Sequence, residues 1–210
     1  MTEDARFWDR IADKYSRQPI SNEEVYQRKL TMTQKRLSPE MRVLEYGCGT
    51  GGTALAHAGH VAHLHAIDVS ANMIEIAKAK QAEAGVGNVT FEVSGIDAFQ
   101  AADATYDAVL AMNVLHLVED PARIIAKTAA LLRPGGVFVS STFAAQDQAR
   151  WLKFIAPIGK AIGKFPPVIK SFSLDDLKRW HGQAGLEIEE EWRTGRMNAD
   201  FLIARKRAVH

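Results

Sequence analysis

The sequence predicts an α/β fold: one mostly parallel, seven-stranded sheet with helices on both faces and an antiparallel strand at the C-terminal end. Three observations carry this reading. Short β-branched or aliphatic runs alternate with helical stretches of about ten residues or more, the pattern of βαβ units joined by right-handed crossovers. The first such run ends in a glycine-rich turn, Gly47-Cys48-Gly49-Thr50-Gly51-Gly52. The last two runs flank a tight Gly195-Arg196 turn, and a hairpin reverses one strand.

A charged segment from Glu3 to Leu37 reads as a helical N-terminal cap, closed by the turn Ser38-Pro39-Glu40. Arg42 to Tyr46 reads as the first strand, and an Ala-rich helix follows the glycine turn from about Thr53. His63 to Asp68 is the second strand. Ser70 is placed to cap a helix from Ala71 to Ala84, which Gly85 and Gly87 stop. Val89 to Val93 and Tyr106 to Met112 are the third and fourth strands. Pro121 suits the first turn of a helix whose Ile124, Ile125, Thr128, Leu131 and Leu132 share a face. Pro134-Gly135-Gly136 is expected to end that helix before a fifth strand, Val137 to Thr142. A helix from Leu174 to Ala184, stopped by Gly185, precedes two strands, Glu187 to Thr194 and Met197 to Ala204.

At 210 residues the chain is expected to form a single domain, 1–210. One cysteine excludes an intramolecular disulfide framework and fits a reducing, cytoplasmic setting. Lys plus Arg (26) nearly balances Asp plus Glu (25), which gives no basic footprint for nucleic acid. No apolar run approaches the ~18 residues of a membrane span, and the charged start, MTEDARFWDR, lacks the apolar core of a signal peptide.

The glycine turn matches GxGxxG between a strand and a helix, where glycines allow close backbone approach to a ligand and the helix presents unpaired N–H groups. Asp68 ends the second strand 21 residues after Gly47, where a carboxylate can accept both hydroxyls of a ribose. These features suit a nicotinamide cofactor or S-adenosyl-L-methionine. Glu45, just before the glycines, would repel a pyrophosphate but suits a cationic amino-acid tail with a sulfonium. The terminal hairpin is not required by a nicotinamide half-domain. The chain has no room for a second catalytic domain and no Tyr-x-x-x-Lys pair for hydride chemistry. The methyl donor is favoured over a nicotinamide-dependent reductase and over a nonenzymatic cofactor-binding or membrane-peripheral module.

Four stretches jointly resemble the class I S-adenosylmethionine-dependent methyltransferases, whose fold is Rossmann-like. They are Val-Leu-Glu-Tyr-Gly-Cys-Gly-Thr-Gly (43–51), Ala-Ile-Asp-Val-Ser (66–70), Tyr-Asp-Ala-Val-Leu-Ala-Met-Asn-Val-Leu-His (106–116) and Leu-Leu-Arg-Pro-Gly-Gly (131–136). The resemblance implies that Gly47, Cys48, Gly49 and Gly51 pack on the methionine portion of the donor, with Glu45 also among the cofactor-binding residues. It implies further that Asp68 holds the ribose with Val69 beside it, and that Met73 packs near adenine. Gly95, with Asp97 or the Ile96–Asp97 backbone, would meet the adenine edge, and Asn113 would lie under the methionine tail. Ile96 separates Gly95 from Asp97, whereas many relatives have Gly-Asp-Ala, so which atom meets adenine stays open.

Phe7-Trp8-Asp9-Arg10-Ile11-Ala12-Asp13-Lys14-Tyr15 resembles the N-terminal helix of the ubiquinone/menaquinone-type methyltransferases, which implies a helix closing over the cofactor with Tyr15 near donor or acceptor. The alternative is an amphipathic helix that simply docks on the sheet. The implied reaction is metal-independent in-line transfer to a small-molecule or lipid-like acceptor, by a monomer or homodimer.

His116 follows the fourth strand, where ligands of parallel α/β sheets bind, and is a candidate general base; the alternative is a packed histidine. His57, His60, His63 and His65 cluster in sequence but straddle a helix end, a loop and a strand, with no ligand set to complete a metal site. Cys48 reads as a small filler of the turn, and Arg205-Lys206-Arg207 as a solvated basic tail. Residues 150–172 read as an insertion with an apolar stripe (Trp151, Phe154, Ile155, Ile158, Ile162, Phe165) and five basic residues. That composition suits a lid for a lipophilic or anionic acceptor, or a segment touching an anionic membrane surface.

Overall fold

The computed structural model describes residues 2–144, 165–193 and 199–208. Seven strands form one sheet in the order β3-β2-β1-β4-β5-β7-β6. The strands are β1 (Arg42–Tyr46), β2 (His63–Asp68), β3 (Val89–Val93), β4 (Tyr106–Met112), β5 (Leu132–Thr142), β6 (Leu186–Arg193) and β7 (Asp200–Lys206). Parallel pairing joins β1 through β5, and β7 runs antiparallel between β5 and β6. The chain moves outward from β1 to β3 and then returns to β4 on the other side of β1. The order therefore reverses between β1 and β4, and a crevice opens beyond their carboxyl ends.

Alternation along the strands explains the two-sided core. Val43, Ala108, Leu110, Val137 and Val139 point to one face, under α3 (Gly52–His57) and α4 (Ala71–Ala84). Leu44, Val109, Ala111 and Phe138 point to the other, under α5 (Pro121–Leu131) and α6 (Leu174–Gln183). The helix starts are set by side-chain caps: Ser70 Oγ accepts from Met73 N at 3.1 Å, Asp120 Oδ1 from Arg123 N at 3.0 Å, and Ser173 forms a capping box with Asp176. Gly85 stops α4 in the left-handed conformation, φ 65°.

Four expectations are corrected. The N-terminal cap is two helices, α1 (Glu3–Ser16) and α2 (Glu23–Gln34), rather than one run to Leu37. Pro19 cannot continue a helix, and Asn22 starts a new one by accepting from Val25 N at 3.0 Å. The fifth strand begins at Leu132, which already pairs with Tyr106, so Pro134-Gly135-Gly136 lies inside the strand as a slip in register. Gly135 makes that slip with φ 78°, and a Cβ at Gly136 would meet Asp107 O at 3.0 Å. The last strand starts at Asp200 and runs to Lys206, beyond the expected Ala204. Arg205 and Lys206 are consequently not a solvated tail: Arg205 pairs with Glu189, and Lys206 Nζ donates to Leu132 O at 2.7 Å. The Gly195-Arg196 turn and most of the 150–172 insertion lie outside the described residues; Val168 and Phe172, at its end, are buried.

Helix α2 and the turn after it are fastened to β6. Arg36 pairs with Glu189 at 2.8 Å and with Glu190, and the Arg28 guanidinium lies 4.1 Å from the Trp192 ring centre. These contacts fix the face that α2 turns toward the ends of β4 and β5. No helix among the described residues is long and apolar enough to cross a membrane.

Candidate functional site

The turn after β1 is a left-handed glycine cradle, with φ 64° at Gly47, 53° at Gly49 and 76° at Gly51. Its glycines do different work. A Cβ on Gly47 would lie 2.6 Å from Val114 Cγ2, and one on Gly51 would lie 2.8 Å from Phe91 Cζ and 2.9 Å from Ala77 Cβ. Those two permit packing of the loop on the segment that follows β4 and on β3 and α4. Gly49 has only Tyr15 nearby, at 3.9 Å, and faces the crevice.

Asp68, at the end of β2, ties this loop to the start of α4. Its Oδ2 accepts from Gly49 N and its Oδ1 from Ser70 N, both at 2.9 Å. Burial pushes its carboxyl up and the charge of Asp9 adds to that, while the backbone N–H groups of Ser70, Gly49 and Val69 work against the shift. Helix α1 lies over the crevice and is latched there by Asp9. Asp9 Oδ1 accepts from Ser70 Oγ at 2.6 Å and Asn72 N at 3.0 Å, so an α1 carboxylate caps the N-terminus of α4.

The resulting cavity is lined by Tyr15, Gly47, Gly49, Asp68, Val69 and Met73, and farther along by Gly95, Ile96, Asp97 and Asn113. Ten of the residues singled out from sequence thus share one wall system. Glu45, Cys48, Gly51 and His116 do not line it. Gly51 is committed to packing. Cys48 is buried, and burial raises its thiol well above the ordinary value, which fits a filler and not an activated thiolate. The Asp97 carboxylate is paired with Arg123 at the rim. Sequence reasoning missed Asp4, Ser94 and Leu117 on the wall, and Trp8, which also lines the cavity, was placed only within the Phe7–Tyr15 helix. Only their helical or loop positions signalled them.

A second cavity, of about 440 Å³, adjoins the first and shares Met112 and Asn113 with it. Asn113 holds φ 59°, rare for a residue with a side chain, and its N–H donates to Ser141 O at 2.6 Å. One stripe of α2 (Asn22, Val25, Tyr26, Lys29, Leu30, Thr33) makes the far wall. Its spacing of three and four residues is readable in the sequence, but its mixed polarity hid it. His116 belongs to this cavity; its Nδ1 lies 3.1 Å from Thr142 Oγ1, and burial pushes it down to about 4. His57 also lines it, while His63 and His65 bond to Thr90 and Glu92 on the sheet. Among the described residues no three His, Cys, Asp or Glu side chains converge as a metal-ligand set.

Glu45 sits behind the cradle, 1% exposed, and its Oε2 has no partner among the described residues. Burial, and then the charge of Asp68, push it up to about 8. This gives a pH signature. The fold holds His57 and His116 neutral, both pushed down to about 4 from 6.5 by burial, so their contribution is complete above pH 6.5 and is lost as pH falls toward 4. Glu45 has the opposite sign: its contribution is complete below its ordinary 4.5 and is lost as pH rises toward 8. Each group carries about 1.4 kcal/mol per pH unit at most. Urea unfolding should therefore show stability climbing from pH 4.5 to 6.5 and falling by roughly 2 kcal/mol toward pH 8, with the fall absent in Glu45→Gln. An equal fall in that variant would contradict the assignment.

A family model described as Methyltransferase domain matches residues 18–191. The ubiquinone biosynthesis O-methyltransferase of Xanthomonas axonopodis pv. citri (strain 306) is 32% identical over 167 residues, 77% of this chain and 70% of that protein. An S-adenosylmethionine dependent methyltransferase from Mesorhizobium loti superposes with a TM-score of 0.68 at 21% identity, covering 84% of this chain and 95% of the other. The geranyl diphosphate C-methyltransferase from Streptomyces coelicolor A3(2), in complex with Mg2+, geranyl diphosphate and S-adenosyl-L-homocysteine, superposes with a TM-score of 0.70 at 15% identity, covering 88% and 79%. At those identities the two structures establish the fold alone. The family match spans most of a chain whose sheet reverses order beside a glycine cradle and a facing acid, and the chain belongs to the class I S-adenosylmethionine-dependent methyltransferases, in the ubiquinone-type group.

Proposed function

We propose that the crevice under α1 holds S-adenosyl-L-methionine and that the adjoining cavity holds a small-molecule acceptor of its methyl group. The observation that carries this reading is the meeting of the two cavities at Met112 and Asn113. The residues fit the donor. Gly49 leaves open space where a side chain would stand. Asp68 accepts from backbone N–H groups on both oxygens, and as a carboxylate it retains acceptor capacity for the ribose edge of the donor. The unpartnered Glu45 Oε2 suits a nearby ammonium, which would favour the carboxylate over the acid. Met73, Val69, Gly95, Ile96 and Asp97 stand where an adenine ring would lie, with Tyr15 over the cradle and Asn113 at the passage between the cavities.

When bound, the donor supplies a methyl group already activated on sulfonium. The chain aligns, covers and deprotonates. Helix α1, latched by Asp9, excludes water from the donor side. His116, neutral at physiological pH and held by Thr142, is the candidate base for an acceptor that arrives un-ionised, though burial makes it a weak one. The named relative transfers to oxygen, and oxygen is the acceptor atom proposed here. The apolar part of the second cavity (Ile20, Val25, Leu30, Phe143) suits a lipid-like or aromatic body. The 150–172 segment would shape its entry or meet an anionic membrane, and the protein acts as monomer or homodimer.

S-adenosylhomocysteine formation, followed by mass spectrometry over phenols, carboxylic acids and prenylated aromatics, tests the reading. The expected result is turnover on at least one acceptor, unchanged by EDTA. Tight S-adenosylhomocysteine binding without turnover on any of these would leave a cofactor-binding module instead.

A further inference from the structure

The second cavity carries one formal charge on its described wall. Lys29 is its lone lysine or arginine there, and no carboxylate lines it. Lys29 Nζ donates to Ser141 Oγ at 2.8 Å, and Ser141 Oγ lies 3.4 Å from Asn113 Oδ1. The ammonium is thus one hydroxyl away from the passage to the donor crevice. An ammonium has three donors, and this bond uses one. Asp200, the acid whose charge reaches Lys29, is buried off the cavity wall with Arg193 Nε 3.3 Å away.

His57 lines this cavity, is 0% exposed, and neither of its ring nitrogens has a partner among the described residues. A neutral imidazole still carries one N–H, and a buried donor without an acceptor is costly. Lys29, with two donors to spare, calls for an oxygen that accepts hydrogen bonds, whereas the buried His57 nitrogens present no surface to the cavity. Apolar side chains of Ile20, Val25, Leu30 and Phe143 call for a compact apolar body, and about 440 Å³ suits a molecule of aromatic-ring size.

We propose that Lys29 is the oxyanion-binding group of the acceptor site and that the acceptor presents an ionised oxygen, a phenolate or a carboxylate, to it beside Asn113. This rests on the reading of the second cavity as the acceptor site. The oxygen's lone pair becomes the new O–C bond. The C–S pair returns to sulfur, so the sulfonium becomes a neutral thioether and the anionic acceptor leaves as a neutral ether or ester. Lys29 holds the reactant more tightly than the product, which favours release after transfer. Burial lowers the Lys29 ammonium and the charge of Asp200 works against that shift; a bound anion would work in the same direction as Asp200. Of the other titratable groups on the wall, His57 and His116 are held neutral by burial and Tyr26 is raised by burial, so Lys29 supplies the charge.

The test uses the full chain saturated with S-adenosylhomocysteine. 4-Nitrophenol, followed by phenolate absorption, reads the phenolate arm, and benzoate, followed by calorimetry, reads the carboxylate arm. In the wild type the bound phenol should ionise about one pH unit lower than in water. Lys29→Met should lose that shift and weaken benzoate at least about tenfold, Lys29→Arg should recover most of both, and S-adenosylhomocysteine affinity should not change. Equal ionisation and equal benzoate affinity in wild type and Lys29→Met would overturn the proposal while leaving the cavity as the acceptor site. Failure of the wild type to bind either probe, or binding that survives filling the cavity with Val25→Trp, would overturn the acceptor-site reading and the proposal with it.

Discussion

Gly49→Val should abolish binding of the methyl donor, raising the S-adenosylhomocysteine Kd at least about a hundredfold, while the protein stays folded. Two effects add. Gly49 holds φ 53°, where an L-residue loses roughly 1–2 kcal/mol and a β-branched one more. Gly49 also faces the crevice, so the two γ-methyls of valine would stand in the donor's space and against Tyr15. Gly49→Ala separates the terms: its Cβ meets nothing nearer than Tyr15 at 3.9 Å, so it should show the backbone cost with little blocking. Gly51→Val provides the contrast. Its side chain would collide with Phe91 and Ala77 inside the core, so stability should fall before affinity does. Calorimetry and thermal unfolding of the three variants read these outcomes directly. Normal donor affinity in a folded Gly49→Val protein would place the donor elsewhere.

Asp68→Ala should weaken donor binding by a factor of about a hundred or more. Hydrogen bonds to a charged group are worth about 1.5–3 kcal/mol each, and two ribose hydroxyls are at stake. The structure adds a cost that the sequence did not show. Gly49 N and Ser70 N both donate to this carboxylate, and Ser70 N is buried. Alanine leaves both without their partner, so the variant should also unfold at lower temperature, each lost buried bond costing about 1–3 kcal/mol. Asp68→Asn retains acceptor capacity for one of the two backbone groups and should recover stability more than affinity. Donor affinity equal to wild type in Asp68→Ala would show that the ribose assignment is wrong, whatever happens to stability.

Much of the crevice under α1 was legible because its elements are local. A strand, a glycine turn and a helix are contiguous from Arg42 to His57, and each declares itself within a few residues. Glycines at φ above +50° leave a mark in the sequence because few other residues tolerate that backbone. The failures have equally local causes. The Pro134-Gly135-Gly136 turn looks like a helix stop, but α5 has already ended at Leu131 and Leu132 pairs with Tyr106, a contact 26 residues away in sequence. Arg205 and Lys206 look like a tail until β7 slides between β5 and β6 and gives both of them partners.

The sequence by itself determined the alternation of strands and helices, the single reversed strand, the glycine cradle with its acid at the end of β2, and the family. Those features follow from side-chain period and from backbone conformations that only certain residues reach, both of which are written in neighbouring positions. The tertiary structure decided which residues share a space. It put Lys29 beside Ser141, 112 residues away, and Asp9 onto Ser70, 61 residues away. It also moved His116 to the second cavity and removed Glu45 and Cys48 from the wall of the first. Sequence period says which face of an element a side chain occupies; only the packing of one element on another says what that face meets.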